Sequence, residues 1–360
     1  MKKLTQFLMA VVFALVAITM TVPSSSAQAQ PSTQTKDVFD MTFSHYITWD
    51  FSPFLFENLV AKWSKKYGIT IRLSEPMDYA ESITQFGLGK YDAVTITNID
   101  SYIAPAFGGI DVEFIVIQDY SADNDGIVTK SGKTMSDMKG REITIVQNTV
   151  TQHLVARCLE LAKMKLTDII MKGAGSESEV LTAFVTNDDP KTTVGTWNPN
   201  LLKLRQEKHA NMVCGSSQIP GEIMDGILVR VDADERLKKA LTGAYYEMIS
   251  QLATKGAARN KVVAAGAKSA GCTVPEFEQQ MKTTHLFMSP KEALDFMTAP
   301  GFKALIQTVQ RIAFEAKLYE PKSVGQVGIE LPNGEILGDK SNVRMHFPLK
   351  YMKMAADGKL

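Results

Sequence analysis

The stretch DYAESITQFGLGKYDAVTITN, residues 78–98, contains one complete helix-to-strand step. Its first half carries a helix-start signature, because Asp78 is followed three residues later by Glu81 and then by apolar residues at helical spacing. The second half, residues 91–97, is a short β-branched and apolar run that predicts a buried strand, after which Asn98 is expected to cap another helix. Repeated steps of this length predict parallel strands covered by helices.

The same alternation extends in both directions from this stretch. Towards the N-terminus it predicts a strand at 40–47, a helix at 53–68 and a strand at 69–74, and towards the C-terminus a strand at 112–120. A polar, glycine-containing segment then interrupts the pattern, and strands and helices alternate again over 141–231. From Asp234 onward the pattern is mainly helical, and Asn333-Gly334 between apolar runs predicts a hairpin.

A fold with two sheet-rich lobes accounts for this interrupted alternation. We predict an α/β, two-lobe fold in which the chain crosses twice between the lobes. The first lobe would comprise residues 37–124 and 230–360, and the second residues 125–229. The crossovers near Asp123–Ile127 and Gly226–Val229 are then candidate hinges.

The N-terminus has the pattern of an export signal. Lys2 and Lys3 precede an apolar run over residues 7–22, and Ala27-Gln28-Ala29 forms a cleavage site, so residues 1–29 are predicted to be a signal peptide cut near Ala29. No later apolar run is long enough to span a bilayer. We therefore expect an exported protein.

Composition excludes several kinds of partner. The chain has 39 basic and 39 acidic residues, which argues against nucleic acid or an anionic membrane surface as a partner. Its cysteines, Cys158, Cys214 and Cys272, are odd in number and far apart, so we expect buried free thiols rather than a disulfide framework. The five histidines lack metal-ligand spacing, and no nucleotide-binding or nucleophile motif is present, so neither a metal nor a cofactor is expected.

Polar and aromatic residues collect at the predicted junctions between strands and helices. In an open α/β sheet these junctions lie beyond the carboxyl ends of the strands, where ligands bind. Trp49 and Trp197 occupy such junctions in different predicted lobes, so we expect half-exposed indoles that close on a small planar solute. The candidate ligand-binding residues are Trp49, Asp78, Asn98, Asp100, Thr149, Thr151, Trp197, Asn198, Ser217 and Glu222.

Each of these residues also has a purely structural interpretation. Either indole can be an ordinary packing residue beside a helix start. Asp78, Asn98, Thr149 and Thr151 can be helix caps or first-turn residues, and Asp100 can either favour a helix dipole or point into the cleft. Ser217 and Glu222 lie in a Pro220-Gly221 segment that can be a simple turn.

The charges at the junctions favour one class of ligand. An oxyanion would call for Lys or Arg there, or for bare helix N-termini. The junctions instead offer Asp78, Asp100 and Glu222, with no Lys or Arg directly at them. A neutral or cationic solute that carries N–H donors is therefore expected.

Several motifs resemble one family of transport proteins. They are GKYDAVTITN (89–98), MSDMKGREITIV (135–146), TNID (97–100), NDGIV (124–128), TWNPN (196–200), SSQIPGEIMDGILV (216–229) and YMKMAADGKL (351–360). With the two-crossover layout, they make the chain similar to periplasmic solute-binding proteins of ABC importers, in the nitrate/sulfonate/taurine-like class. Within that class the chain resembles the urea carboxylase-associated subfamily, for which urea and guanidine are the proposed ligands.

The resemblance implies a non-enzymatic, monomeric periplasmic protein that passes a small solute to a membrane permease. Two alternatives remain open at this point. One is an enzyme on a related fold that serves pyrimidine-precursor synthesis in thiamine metabolism, and the other is a ligand-sensing module of a membrane receptor. The predicted signal peptide, and the lack of a recognisable nucleophile–base pair or cofactor lysine, argue against the enzyme.

Overall fold

The computed structural model describes residues 36–360. The predicted signal peptide and its cleavage site lie outside the described residues. Within them, no helix is both long enough and apolar enough to cross a membrane.

The strands occur in two groups separated by helices. In chain order they are β1 (Val38–Thr42), β2 (Thr70–Leu73), β3 (Ala93–Thr97), β4 (Val112–Ser121), β5 (Asp125–Thr129), β6 (Glu142–Val146), β7 (Ile170–Ala174), β8 (Thr193–Trp197), β9 (Asn211–Gly215), β10 (Met224–Arg230), β11 (Thr284–Leu286), β12 (Gly328–Glu330), β13 (Ile336–Leu337) and β14 (Val343–His346).

The α-helices surround these strands. They are α1 (Ser52–Leu55), α2 (Ala61–Tyr67), α3 (Tyr79–Gly87), α4 (Asn98–Ser101), α5 (Val150–Leu161), α6 (Glu177–Thr186), α7 (Asn200–Gln206), α8 (Glu235–Ala253), α9 (Ala257–Ser269), α10 (Val274–Met281), α11 (Pro290–Thr298), α12 (Phe302–Glu315) and α13 (Lys350–Ala356).

Two sheets organise the fold. The larger has the order β13-β12-β14-β4-β10-β3-β1-β2, with β11 beside β4, and the smaller has the order β7-β6-β8-β5-β9. We call the parts of the chain built on them the large lobe and the small lobe. The chain leaves the large sheet after β4 and returns to it at β10, so it crosses twice between the lobes. This confirms the predicted two-lobe α/β fold.

Strand pairing follows the predicted alternation in its first part. β1 pairs in parallel with β2 and β3, as expected of strand–helix–strand units, whereas β10 runs antiparallel to both β3 and β4. The whole of β10 pairs within the large sheet, although the proposed lobe boundary at residue 229 runs through it. The predicted C-terminal hairpin is confirmed, with β12 and β13 joined through Gly334 at a φ of 82°.

A disulfide corrects the prediction of free thiols. Cys158 of α5 and Cys214 of β9 are bonded, whereas Cys272 is free. The two bonded residues are 56 positions apart in sequence, and packing of α5 onto the small sheet brings their Cα atoms to 6.1 Å. The sequence pattern could not show this pairing, because it depends on how the helix crosses the sheet.

Candidate functional site

A small enclosed cavity lies between the two lobes. Its volume is about 10 Å³, close to the least that one water molecule requires. A planar solute of four non-hydrogen atoms would therefore require a wider cavity than this one. The lining residues come from both lobes and from the returning crossover: Tyr46, Trp49, Tyr79, Thr97, Asp125, Val150, Trp197, Ile223 and Asp225.

Three aromatic rings form one side of this inner cavity. Tyr79 contacts both indoles, with ring centroids 5.0 Å from Trp49 and 5.6 Å from Trp197. Trp49 is 1% exposed and Trp197 is 5% exposed, so the expected half exposure is wrong for this arrangement. Trp49 packs between Tyr46 and Tyr79 of its own lobe, whereas Trp197 packs against Tyr79 of the other lobe.

Asp100 is fully buried beside the aromatic rings. Its carboxylate accepts hydrogen bonds from the Tyr79 hydroxyl at 2.7 Å and from the Thr97 hydroxyl at 2.8 Å, both in the large lobe. It also accepts one from the backbone N of Val150, in the small lobe, at 2.8 Å. Burial raises the pKa of Asp100 to about 6 despite these bonds, which favour its charged form.

Two further carboxyl groups, which the sequence reasoning did not select, face the inner cavity. Asp125 is the first residue of β5 and pairs in register with Trp197, so both side chains lie on the same face of the small sheet. Asp225 of β10 pairs with Asp119 of β4, which is not among the cavity's lining residues. All three aspartates are buried.

Burial strongly shifts the pKa values of these three carboxyl groups. It is the main reason that the pKa values of Asp119 and Asp125 are raised to about 7 and that of Asp225 well above its ordinary value. No lysine, arginine or histidine is among the described residues that line the inner cavity. Among residues 36–360, no group of three or more His, Cys, Asp or Glu side chains is arranged to hold a metal ion. Asp125 and Asp225 are thus the acidic side chains among the residues described as lining the cavity.

Two predicted site residues serve as structural ties. The Asn98 amide donates to the backbone O of Glu222 at 3.1 Å and accepts from the backbone N of Met224 at 2.9 Å, fixing the crossover to α4. It does not cap that helix, because Thr97 accepts the hydrogen bond from Asp100 N instead. Asn198 likewise donates through its amide to Asn124.

At the turn after β8, Asn198 does not cap the following helix, although asparagine is a favoured capping residue. α7 begins at Asn200, and Pro199 rather than Asn198 occupies the position before its first residue. The Asn198 amide is occupied by Asn124, whose backbone O also accepts from Asn198 N at 2.9 Å. A tertiary contact has thus displaced the expected local cap.

The start of α5 contributes two predicted residues. Thr149 is its N-cap and accepts from Thr151 N at 3.4 Å. The Thr151 side chain is 1% exposed, and within the described chain its hydroxyl lacks a hydrogen-bond partner. Thr151 is not among the residues that line the inner cavity, and its methyl group packs against Gly195 of β8.

Glu222 and Ser217 lie away from the inner cavity. The Glu222 carboxylate binds the Arg157 guanidinium at 2.7 Å and the His153 ring at 3.1 Å, and these contacts hold its pKa below the usual range even though burial opposes them. Ser217 is exposed, and its backbone N donates to Asp123 at 3.1 Å. Their neighbour Ile223, rather than either of them, lines the cavity.

A wider vestibule of about 430 Å³ lies outside the inner cavity, and Trp197 lines both. Asp78 of the large lobe and Glu177 of the small lobe line the vestibule, with Lys203 and His45 nearby. Glu177 accepts a hydrogen bond from Tyr79 N at 3.2 Å. Burial, followed by its contact with Asp78, raises the pKa of Glu177 to about 8.

The sequence contains a signal that could have identified Asp125 and Asp225 as residues of the candidate site. Asp125 and Asp225 both directly precede Gly-Ile at the start of an apolar run, in NDGIV (124–128) and MDGIL (224–228). Each run overlaps one of the two predicted crossovers. A charged residue entering a buried strand calls for a partner or a ligand.

Solved structures with this architecture identify the fold. The chain superposes on the aliphatic sulphonate binding protein of Escherichia coli with a TM-score of 0.62 at 15% identity, covering 79% of this chain and 89% of that one. The alkanesulfonate-binding protein of Xanthomonas axonopodis, bound to MOPS, gives 0.63 at 13% identity over 80% and 96%. The fold is that of periplasmic binding proteins.

A fungal protein shows how widely this fold occurs. A Candida albicans gene product described as having the generic periplasmic binding protein fold gives a TM-score of 0.58 at 8% identity, over 79% of this chain and 92% of that one. No protein-family model matches the sequence, and neither does any curated protein.

Proposed function

We propose that this chain is the extracytoplasmic solute-binding component of an ABC importer. It would capture a small, planar, nitrogen-rich solute, guanidine- or urea-like, between its lobes and deliver it to a membrane permease without chemical change. The observation that carries the proposal is the inner cavity itself, which combines four aromatic side chains with the carboxyl groups of Asp125 and Asp225.

The aromatic rings suit the flat faces of such a solute, and the carboxyl groups suit its N–H groups. The rings supply dispersion contacts to any flat molecule and, to a guanidinium ion, a cation–π attraction of about 0.5–2 kcal/mol per face. Carboxylates accept N–H hydrogen bonds. The small cavity volume favours a solute of a few atoms over a long-chain one.

The fold relatives whose names specify sulfonates bind a different chemical class. A sulfonate is an anion, for which a helix N-terminus is a ready binding site. In this chain the Asp100 carboxylate already occupies the first backbone N–H of α5. That occupation, with the acidic lining of the cavity, supports a cationic or neutral solute over an oxyanion.

Capture would require relative movement of the lobes. We propose the lobe boundaries as residues 37–124 with 230–360, and 125–229, with hinges near Asp123–Ile127 and Gly226–Val229. A solute that contacts both lobes would stabilise their closed arrangement. The chain would act as a periplasmic monomer after cleavage near Ala29, so the mass of exported protein should correspond to a start at Gln30.

Thermal unfolding tests the proposal directly. The chain from Gln30 onward would be melted with guanidinium, urea, acetamide, nitrate or taurine at equal ionic strength. We expect guanidinium or urea to raise the melting temperature and nitrate and taurine to leave it unchanged. Stabilisation by taurine or nitrate alone would assign the chain to the anion-binding class and overturn the proposed ligand.

A further inference from the structure

A short series of hydrogen bonds ends at Asp125, whose carboxyl group lines the inner cavity. Ser121 Oγ lies 2.5 Å from Asp125 Oδ2, and Ser216 Oγ lies 2.6 Å from Ser121 Oγ. Ser216 Oγ also accepts from the backbone N of Asp123 at 2.8 Å. Ser121 ends β4 in the large lobe and Ser216 directly follows β9 in the small lobe, so these bonds join the two lobes at the first crossover. We call this series the serine relay.

The number of available protons determines the direction of the serine relay. Both serine side chains are buried, and each hydroxyl carries one proton. Because Ser216 Oγ accepts from Asp123 N, its own proton has Ser121 Oγ as its acceptor, and the Ser121 proton goes to Asp125 Oδ2. If Asp125 were the donor instead, Ser121 would donate to Ser216, and the Ser216 proton would have no acceptor in the described chain. Such a loss is costly for a buried hydroxyl, so Asp125 accepts.

The other carboxyl group of the inner cavity has the opposite environment. Asp225 is 0% exposed, and within the described chain neither of its oxygens has a hydrogen-bond partner. An isolated buried carboxylate is costly, so this group keeps its proton and is neutral. Of the two carboxyl groups that line the cavity, Asp125 is therefore the one that the protein prepares to carry charge.

We infer that Ser121 is a positioning residue that makes Asp125, rather than Asp225, the single counter-charge of a cationic solute, and that Ser216 orients the Ser121 hydroxyl. This inference rests on the proposed function and narrows the solute to a protonated nitrogen base such as guanidinium. Ser121 does not line the cavity and acts through Asp125, whose Oδ1 accepts no hydrogen bond from the described residues and is available to the solute. One cation then meets one carboxylate.

The ionisation of Asp125 gives the serine relay a measurable signature. Burial raises the pKa of Asp125 to about 7, while the Ser121 hydrogen bond lowers it and the charge of Asp100 raises it. The titratable groups that surround Asp125 are Asp100, Asp119, Asp225, Tyr46 and Tyr79, and none of them is a cation. Guanidinium affinity should therefore increase as the pH rises through about 7. Without the Ser121 hydroxyl this increase should move to higher pH, because the carboxylate has lost its donor.

Calorimetric titration of the chain from Gln30 with guanidinium chloride, and separately with urea, tests the relay at pH 7 and at pH 8.5. Ser121→Ala should bind guanidinium about tenfold or more weakly at pH 7, as expected for loss of one hydrogen bond to a charged group. The deficit should shrink at pH 8.5, where Asp125 ionises without help. Urea affinity should change less, because urea carries no charge.

Three further variants distinguish positioning from packing. Ser216→Ala leaves the Ser121 donor in place, so its deficit should be smaller than that of Ser121→Ala but should depend on pH in the same way. Ser121→Thr keeps the hydroxyl and should restore most of the affinity. Ser64→Ala removes a buried hydroxyl on α2, away from the cavity, and should leave guanidinium affinity unchanged at both pH values.

Carboxyl carbon NMR of the ligand-free protein, labelled at aspartate, measures the same effect without a solute. The Asp125 signal is identified by its absence from Asp125→Asn and its presence in Asp188→Asn, an exposed residue outside the site. Ser121→Ala should raise the pKa of Asp125, and Ser64→Ala should not. If Ser121→Ala does not fold, Ser216→Ala supplies both the binding and the NMR measurement.

The outcomes separate this inference from the proposed function. Guanidinium affinity that is unchanged in Ser121→Ala, or reduced equally at both pH values, would overturn the role of the relay and leave the solute-binding function in place. Binding of neither guanidinium nor urea by the unsubstituted chain would overturn the proposed ligand, while the NMR titration would still decide whether Ser121 controls the ionisation of Asp125. An unchanged Asp125 pKa in both serine-to-alanine relay variants would contradict the inference.

Discussion

The Asp100 carboxylate in the large lobe accepts a 2.8 Å hydrogen bond from the backbone N of Val150, the first residue of α5 in the small lobe. The reverse contact also exists, because Glu177 in the small lobe accepts from the backbone N of Tyr79, the first residue of α3 in the large lobe. Each lobe thus supplies a carboxylate to the start of a helix in the other. These contacts stabilise the closed arrangement and occupy positions where an anion would bind.

Replacing Asp100 with Asn removes the charge of one of these contacts while keeping the size of the side chain. Hydrogen bonds to charged groups contribute about 1.5–3 kcal/mol each, so guanidinium affinity should fall by roughly tenfold or more. Urea affinity should fall less, since a neutral solute gains less from the charge. Calorimetry on Asp100→Asn, with Asp188→Asn as the control, measures both changes. Tighter nitrate binding without loss of guanidinium binding would contradict the ligand assignment.

The Glu177 contact predicts a pH-dependent stability. Its folded-state pKa of about 8 exceeds the ordinary value of 4.5, so the folded protein holds a proton that the unfolded chain releases. The stability from this group is therefore complete below about pH 4.5 and is lost as the pH rises through about 8.

Glu177→Gln should remove this dependence. We expect the melting temperature of the ligand-free protein to fall more steeply from pH 5 to pH 8 than that of the variant. Glu57→Gln changes an exposed glutamate elsewhere and should follow the unsubstituted protein. Parallel pH profiles for the unsubstituted chain and Glu177→Gln would show that Glu177 does not titrate with folding.

The sequence predicts much more of the fold than of the candidate site. Strand and helix periodicity is a local property, and it located the elements on both sides of each crossover. The position of Trp197 at the end of a strand was also predictable, whereas β1 ends at Thr42 and Trp49 begins a short helical turn instead. The pairing of Asp119 with Asp225 was not predictable, because it depends on the register of two strands more than a hundred positions apart in sequence.

Local rules also failed where a tertiary contact replaced them. Asn98 has the usual properties of a helix cap, but its amide is used by the backbone of residues 222–224, and Thr97 caps the helix. Glu222 was selected as a free carboxylate in a turn, yet Arg157, 65 positions away, binds it. Such partners are fixed by packing, which periodicity does not describe.

Glu222 offers a test of a structural role against a binding role. Its carboxylate is paired with the Arg157 guanidinium and the His153 ring. Removing one partner of a buried ion pair typically destabilises a protein by about 3–5 kcal/mol. Glu222→Gln should therefore lower the free energy of unfolding, measured by thermal unfolding without urea. Its guanidinium affinity should change less than that of Asp225→Asn. The opposite ranking would make Glu222 a ligand residue.

The disulfide predicts a loss of stability when it is removed. Cys158 and Cys214 close a loop with a sequence separation of 56 residues, for which chain entropy gives a stabilisation of about 4 kcal/mol. The double variant Cys158→Ser with Cys214→Ser should therefore have a correspondingly lower melting temperature, measured without guanidinium. Cys272→Ser, at the free cysteine, should have little effect. Equal melting temperatures for all three proteins would mean that the bond contributes nothing.

Trp197 connects the inner cavity to the vestibule, and its replacement tests the site most directly. Its ring is 5% exposed and makes an edge-on contact with Tyr79 of the other lobe. Trp197→Ala should therefore weaken solute binding by about thirtyfold or more, as loss of a buried aromatic anchor typically costs about 2 kcal/mol or more. Intrinsic fluorescence should change when the solute binds to the unsubstituted protein. It should change equally in Trp63→Phe, whose indole lies on α2 and donates to Glu247. A Trp197→Ala protein that is strongly destabilised but binds with unchanged affinity would show that Trp197 is only a packing residue.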